Sequence, residues 1–97
     1  MQINMNLIDL LKKSSSNIVD VRTEEEFLKR NLKGSINIPL DEIPAKINEL
    51  AKMQPVVLCC AAGVRSEHAV QFLIKNGINE VYNGGSWSNV QNILESQ

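Results

Sequence analysis

The chain has 97 residues, 43% of them hydrophobic and 22% charged, and a formal net charge of -1. That length suits one domain with one core and no need of disulfide or metal staples. A charge so near zero argues against nucleic acid or an anionic membrane surface as partner, since both call for a basic face, and no apolar stretch approaches the roughly 20 residues of a membrane span.

The opening Met1-Gln2-Ile3-Asn4-Met5-Asn6 has neither a basic n-region nor an unbroken apolar h-region, so no signal peptide is read there and the expected location is cytoplasmic. Residues 4–13 read as a short helix, with Met5, Leu7, Ile8, Leu10 and Leu11 as its apolar stripe and Lys12 and Lys13 at its C-terminal end. Ser14-Ser15-Ser16 is a polar break. Residues 17–21 form a short β-rich strand. Thr23 with Glu26 three residues on is a capping box for the next helix, in which Phe27 and Leu28 are the side chains to bury. Gly34 marks a turn before a strand over 35–39, closed by Pro39. Asp41 is the expected N-cap of a further helix, with Pro44 in its first turn and Ile43, Ile47, Leu50 and Ala51 on one face.

The run Pro55-Val56-Val57-Leu58-Cys59 shows no alternation, which fits a central strand buried on both faces of a parallel sheet. A helix over 67–75 then buries Ala69, Val70, Leu73 and Ile74 and stops at Asn76-Gly77. Residues 80–82 are a brief strand, Gly84-Gly85 a turn, and 87–94 a last helix. Strands alternating with helices predict an α/β domain with a mainly parallel sheet, in which ligands bind beyond the C-terminal ends of the strands.

The stretch Cys60-Ala61-Ala62-Gly63-Val64-Arg65-Ser66 lies at such an end, between a strand and a helix. A nucleophile there meets the backbone N–H groups of Ala61, Ala62, Gly63, Val64, Arg65 and Ser66, and a helix N-terminus favours thiolate over thiol. Gly63 allows a backbone conformation that a side chain would resist. Cys59 and Cys60 are neighbours and unsuited to a mutual disulfide. With one histidine in the chain, they fall short of a zinc site, so no metal and no cofactor is expected.

These residues resemble the rhodanese family of sulfurtransferases, single-domain type. The resemblance runs through Asp20-Val21-Arg22 with Glu26-Phe27, Gly34-Ser35-Ile36-Asn37-Ile38-Pro39, Cys60-x-x-Gly63-x-Arg65-Ser66, and Gly77 with Val81-Tyr82-Asn83-Gly84-Gly85. It implies a three-layer α/β/α fold with a small, mainly parallel central sheet, and one domain over 1–97. It implies ping-pong sulfur transfer, in which Cys60 takes a sulfane sulfur from thiosulfate or a persulfide or polysulfide and passes it to a thiol, an acceptor protein or cyanide. Arg65 is then expected either to face the donor or to hold the loop by pairing with Asp20 or a glutamate of 24–26. Asp20 and Arg22 are supporting residues. Ala61 and Ala62 stand where many thiosulfate-using members carry a basic or polar residue, which favours a persulfide or polysulfide donor.

Two other readings compete. Counted from Cys59, five residues precede Arg65, the spacing of a cysteine phosphatase or arsenate reductase; Leu58 and the lack of a general-acid aspartate loop speak against it. A non-catalytic module that binds a partner or senses redox state is the other. Cys59 is expected to pack as a small hydrophobe, His68 to be an exposed surface residue rather than a base for Cys60, Arg22 and the glutamates to be solvated or capping charges, and Trp87 to cover the sheet edge. Oligomeric state is left open.

Overall fold

The structure, a computed structural model, describes residues 7–12 and 17–96. Its elements are α1 (Leu7–Lys12), β1 (Asn17–Asp20), α2 (Glu24–Lys29), β2 (Ile36–Asn37), a 3₁₀ helix (Leu40–Lys46), α3 (Ile47–Lys52), β3 (Val56–Cys60), α4 (Val64–Lys75), β4 (Val81–Ser86) and α5 (Trp87–Glu95). The strands form one four-stranded sheet in the order β2-β1-β3-β4, every neighbour parallel. The expected first-helix residues 4–6 and 13, and the polar break at 14–16, lie outside the described residues.

β3 is the central strand that its unbroken apolar run predicts, and all five of its residues are buried. Successive side chains of a strand point to opposite faces, and two separate clusters follow. Val56, Leu58 and Cys60 pack with Val19, Ala69, Val70 and Leu73 on the face covered by α3 and α4. Val57 and Cys59 pack with Leu10, Leu11, Tyr82 and Val90 on the face covered by α1 and α5. Helices on both faces of a parallel sheet make the three layers expected. Among the described residues, no helix is long and apolar enough to cross a membrane.

Several local expectations are corrected. Glu24–Lys29 has the capping box of Thr23 and Glu26, but it buries no side chain and Leu28 is 72% exposed. The helix holds its place by polar contacts instead. Ile8 of α1 is exposed as well. Asp41 does not cap a helix: Leu40–Lys46 is 3₁₀, its N-cap is Pro39, and no side chain caps it. Pro44 lies inside that segment and has no N–H to give, so a regular α-helical ladder starts only at Ile47. Ala51, placed on the buried face by its spacing, is exposed.

The largest correction concerns Gly84 and Gly85, which do not turn the chain. β4 runs through them to Ser86. Leu58 pairs with Asn83 while Cys59 pairs with Gly85, so Gly84 is an extra residue, a bulge in the strand. A Cβ on Gly84 would lie 2.7 Å from Val90 Cγ2 and 2.8 Å from Val57 Cγ1. The glycine is there because α5 packs directly on the backbone of β4. Gly84→Ala is expected to destabilise the fold by about 1–3 kcal/mol through overpacking, read as a lower urea midpoint; an unchanged midpoint would mean that α5 is not seated this closely.

Candidate active site

α4 starts at Val64, a turn earlier than its sequence pattern predicts, so Val64, Arg65 and Ser66 belong to the helix and the loop proper is Ala61, Ala62 and Gly63. Gly63 is the N-cap, with φ of 95°, a left-handed conformation that glycine adopts without strain. Beside it, Gly85 Cα would sit 3.3 Å from any Cβ placed there. A glycine cannot cap with a side chain, and the N-terminal N–H groups of α4 need another acceptor.

That acceptor is Cys60 Sγ. It receives the Gly63 N–H at 3.0 Å and the Ser66 N–H at 3.4 Å, the latter being the N3 group that a capping hydroxyl or carboxylate would ordinarily take. Ser66 Oγ lies 3.3 Å from the same sulfur and 2.7 Å from Asn83 Oδ1; its single proton goes to Asn83 beside a thiol and turns to the sulfur when that is a thiolate. Cys60 is 1% exposed, and burial pushes its thiol up. Hydrogen bonds from the Ser66 hydroxyl and from the backbone of Ser66, Ala62 and Gly63 outweigh that, and the thiol is held below its ordinary value.

The neighbouring thiol is treated in the opposite way. Cys59 lies on the other face of the sheet, fully buried among apolar side chains. Burial, aided by the Asp20 carboxylate, pushes it up to about 12. Cys59 therefore packs as the small hydrophobe expected, and it does not open onto the loop whose length a Cys59-based phosphatase would need.

Arg65 pairs with Glu26, one of its expected partners. Nη1 and Nη2 donate to the two carboxylate oxygens at 2.7 and 3.0 Å. The Arg65 guanidinium and the Thr23 N–H hold Glu26 at about 2. Asp20, the other candidate partner, is taken by Arg22: Nε donates to both of its oxygens and Nη2 lies 2.8 Å from Oδ2. The expectation of a solvated Arg22 is wrong, because its side chain is 6% exposed. Its Nη2 also donates to the Arg30 carbonyl at 2.7 Å, and its guanidinium lies 5.2 Å from the centre of the Trp87 ring. Trp87 thus covers this ion pair at one end of α5, a role that the sequence did not indicate.

Two shallow depressions open on either side of the start of α4. One, of about 460 Å³, is bounded by Val21, Pro39, Leu40, Asp41 and Arg65. The other, of about 450 Å³, is bounded by Ala62, Gly63, Glu67, His68 and Asn83. His68 is exposed, as expected. Among the described residues, no three His, Cys, Asp or Glu side chains are grouped as a metal ion would need.

The family model of the Rhodanese-like domain matches residues 5–92. The chain belongs to that family. It is 42% identical to the uncharacterized protein YqhL of Bacillus subtilis over 66 residues, 68% of this chain and 52% of that protein, so it spans about half of that relative's length. It is 28% identical to the thiosulfate sulfurtransferase GlpE of Shewanella oneidensis over 76 residues, 78% of this chain and 75% of that protein. The crystal structure of a rhodanese-like domain protein from Staphylococcus aureus superposes with a TM-score of 0.71 at 37% identity, covering 84% of this chain and 79% of that one.

Within this rhodanese-like frame, Asn83 is the residue that sequence reasoning passed over. Its Oδ1 accepts from the Ser66 hydroxyl and from the Gly85 N–H at 2.9 Å, and its Nδ2 donates to the Gly63 carbonyl and to Glu67 Oε1, each at 3.1 Å. One amide thus ties the bulge of β4 to the last residue of the loop and to the first turn of α4. The available signal was a polar residue in an otherwise apolar strand, directly before two glycines. The Ser66 hydroxyl was missed too, since only its backbone N–H had been considered.

Ser66→Ala removes a hydrogen bond that favours the thiolate, so the alkylation of Cys60 by iodoacetamide should shift its midpoint to higher pH, while Cys59 stays unreactive until unfolding. A profile that does not move would remove the hydroxyl from the account. The Glu26 carboxylate is depressed in the folded state, so its contribution is complete above the ordinary value of 4.5 and is lost as pH falls through about 2. For a pair this exposed, Glu26→Gln should cost no more than about 1 kcal/mol at neutral pH, and the two proteins should become equally stable near the acid end of a denaturation series.

Proposed function

We propose that this chain is a sulfurtransferase that carries a sulfane sulfur on Cys60. The observation that carries the reading is the placement of Cys60 Sγ as the acceptor of the first-turn N–H groups of α4. An acceptor in that position is better as an anion, both as thiolate and as the persulfide that follows it. The names of relatives such as GlpE support the same class of reaction.

In the first step, the Cys60 thiolate attacks the outer sulfur of a small donor, thiosulfate or a persulfide or polysulfide. A bond forms between Sγ and that sulfur, the donor's own bond to it breaks, and the electron pair leaves on sulfite or on a thiolate. In the second step, an acceptor thiolate or cyanide attacks the terminal sulfur, and Cys60 leaves as thiolate. The acceptor in the cell is a small thiol or a thiol-bearing protein. Ala62, Gly63 and Ser66 hold the negative sulfur through both steps, Ala61 and Val64 shape the loop on either side, and Arg65 holds the start of α4 against Glu26. Asp20 and Arg22 support the site from beneath. No metal, cofactor, nucleic acid or membrane enters this scheme, and the expected compartment is the cytoplasm.

Incubation with excess donor followed by mass spectrometry should add one sulfur, about 32 Da, to the peptide that holds Cys60. Cys60→Ser should lose the adduct and the transfer activity together, while Cys59→Ser keeps both. An adduct that survives in Cys60→Ser and vanishes in Cys59→Ser would overturn the proposal, as would steady hydrolysis of p-nitrophenyl phosphate by the wild-type chain.

A further inference from the structure

Among the described residues that line the two depressions beside the loop, Arg65 is the one of fixed positive charge. Both of its terminal nitrogens are already engaged by Glu26. Glu26 is not a loose counter-ion: its Oε1 also accepts from the Thr23 N–H at 3.0 Å and from Thr23 Oγ1 at 3.1 Å, in the capping box of α2. Swinging it away to free Arg65 would break the cap along with the pair. On the other side of the loop stands a second carboxylate, Glu67, fixed by Asn83 Nδ2 and by Gln71 Nε2 at 2.8 Å.

We propose that Glu26 is a specificity-determining residue: by holding Arg65 it withholds the rim's fixed cation and selects an organic persulfide of low charge over a dianionic sulfonate donor such as thiosulfate. This rests on the sulfurtransferase reading given above. Attack on thiosulfate expels sulfite, so a double negative charge has to be accommodated where the leaving group sits. Attack on an organic persulfide expels a thiolate with a single charge that water can protonate. The rim suits the second case. With Arg65 and Glu26 cancelling each other, it keeps the carboxylates of Asp41 on one side and Glu67 on the other, and its apolar wall of Val21, Pro39 and Leu40 can receive the organic body of such a donor. The hydrogen bonds to Glu26 raise the Arg65 guanidinium against the opposing effect of burial, with the Cys60 sulfur adding to the rise, and leave no neutral form to consider.

The test is the rate of sulfur loading onto Cys60, followed by mass spectrometry, with thiosulfate and with cysteine persulfide, whose carboxylate and ammonium cancel, as the two donors. The wild-type chain should load faster from cysteine persulfide; faster loading from thiosulfate overturns the proposal without recourse to any variant. Glu26→Gln keeps a residue type that serves the same capping box while it releases the guanidinium. It should raise the thiosulfate-to-persulfide rate ratio on the order of tenfold, and the gain should shrink as salt is added, which a merely structural effect would not do. Glu25→Gln removes the same charge from the same helix without touching Arg65 and should leave the ratio where it is. An unchanged ratio in Glu26→Gln, or an equal rise in Glu25→Gln, sinks the assignment to Glu26. Failure of Cys60 to load from either donor would instead strike the sulfurtransferase reading itself.

Discussion

Adjacent side chains of a β-strand leave on opposite faces, and in β3 this constraint separates two neighbouring cysteines. Cys59 is sent into the apolar layer beneath α1 and α5, and Cys60 to the layer beneath α4. The two thiols therefore share a peptide bond and little else. One is pushed up to about 12 by burial; the other is brought down by the N–H groups at the start of α4. Shifting β3 by one residue would exchange them. The parallel pairing of β3 with β1 on one side and β4 on the other holds that register.

With the register set, the remaining task is to keep the loop closed on the sulfur, and this is done by polar contacts between elements far apart in the chain. Glu26 reaches Arg65 across 39 positions, and Asn83 reaches Ser66 and Gly63 from β4. Asp20 and Arg22 make a buried pair that also receives Asn37, whose Nδ2 donates to the carbonyls of both residues at 3.0 Å. A buried ion pair gains little net stability over apolar packing, because desolvation opposes its attraction. Its effect here is geometric. It sets where α2 ends, through the Arg30 carbonyl, and so where Glu26 stands in front of Arg65.

The same arrangement explains why α2 needs no apolar face. Its six residues bury none of their side chains, yet the capping box, the Arg65 pair and the Arg22 contacts hold both of its ends. Periodicity misled at Leu28 because a helix of this length is kept by its termini rather than by a stripe. It misled at Gly84-Gly85 for a related reason. A glycine pair reads as a turn from local preference, whereas the approach of α5 requires at Gly84 a backbone with nothing on it.

Sequence alone determined the alternation of elements, the burial of β3 on both faces, the capping box at Thr23 and the loop around Cys60. Each of these rests on neighbours within a few positions, where residue type and spacing are enough. It also narrowed the partner of Arg65 to a few carboxylates. Tertiary structure decided which of them it is, that α4 begins at Val64 with the Cys60 sulfur as its acceptor, and that Asn83 and the Ser66 hydroxyl complete the ring. Apart from the Gly63 N–H, three positions from Cys60, those contacts join residues between six and 39 positions apart. No local pattern encodes such pairings, because they exist only once the sheet has brought the ends of β1, β3 and β4 together.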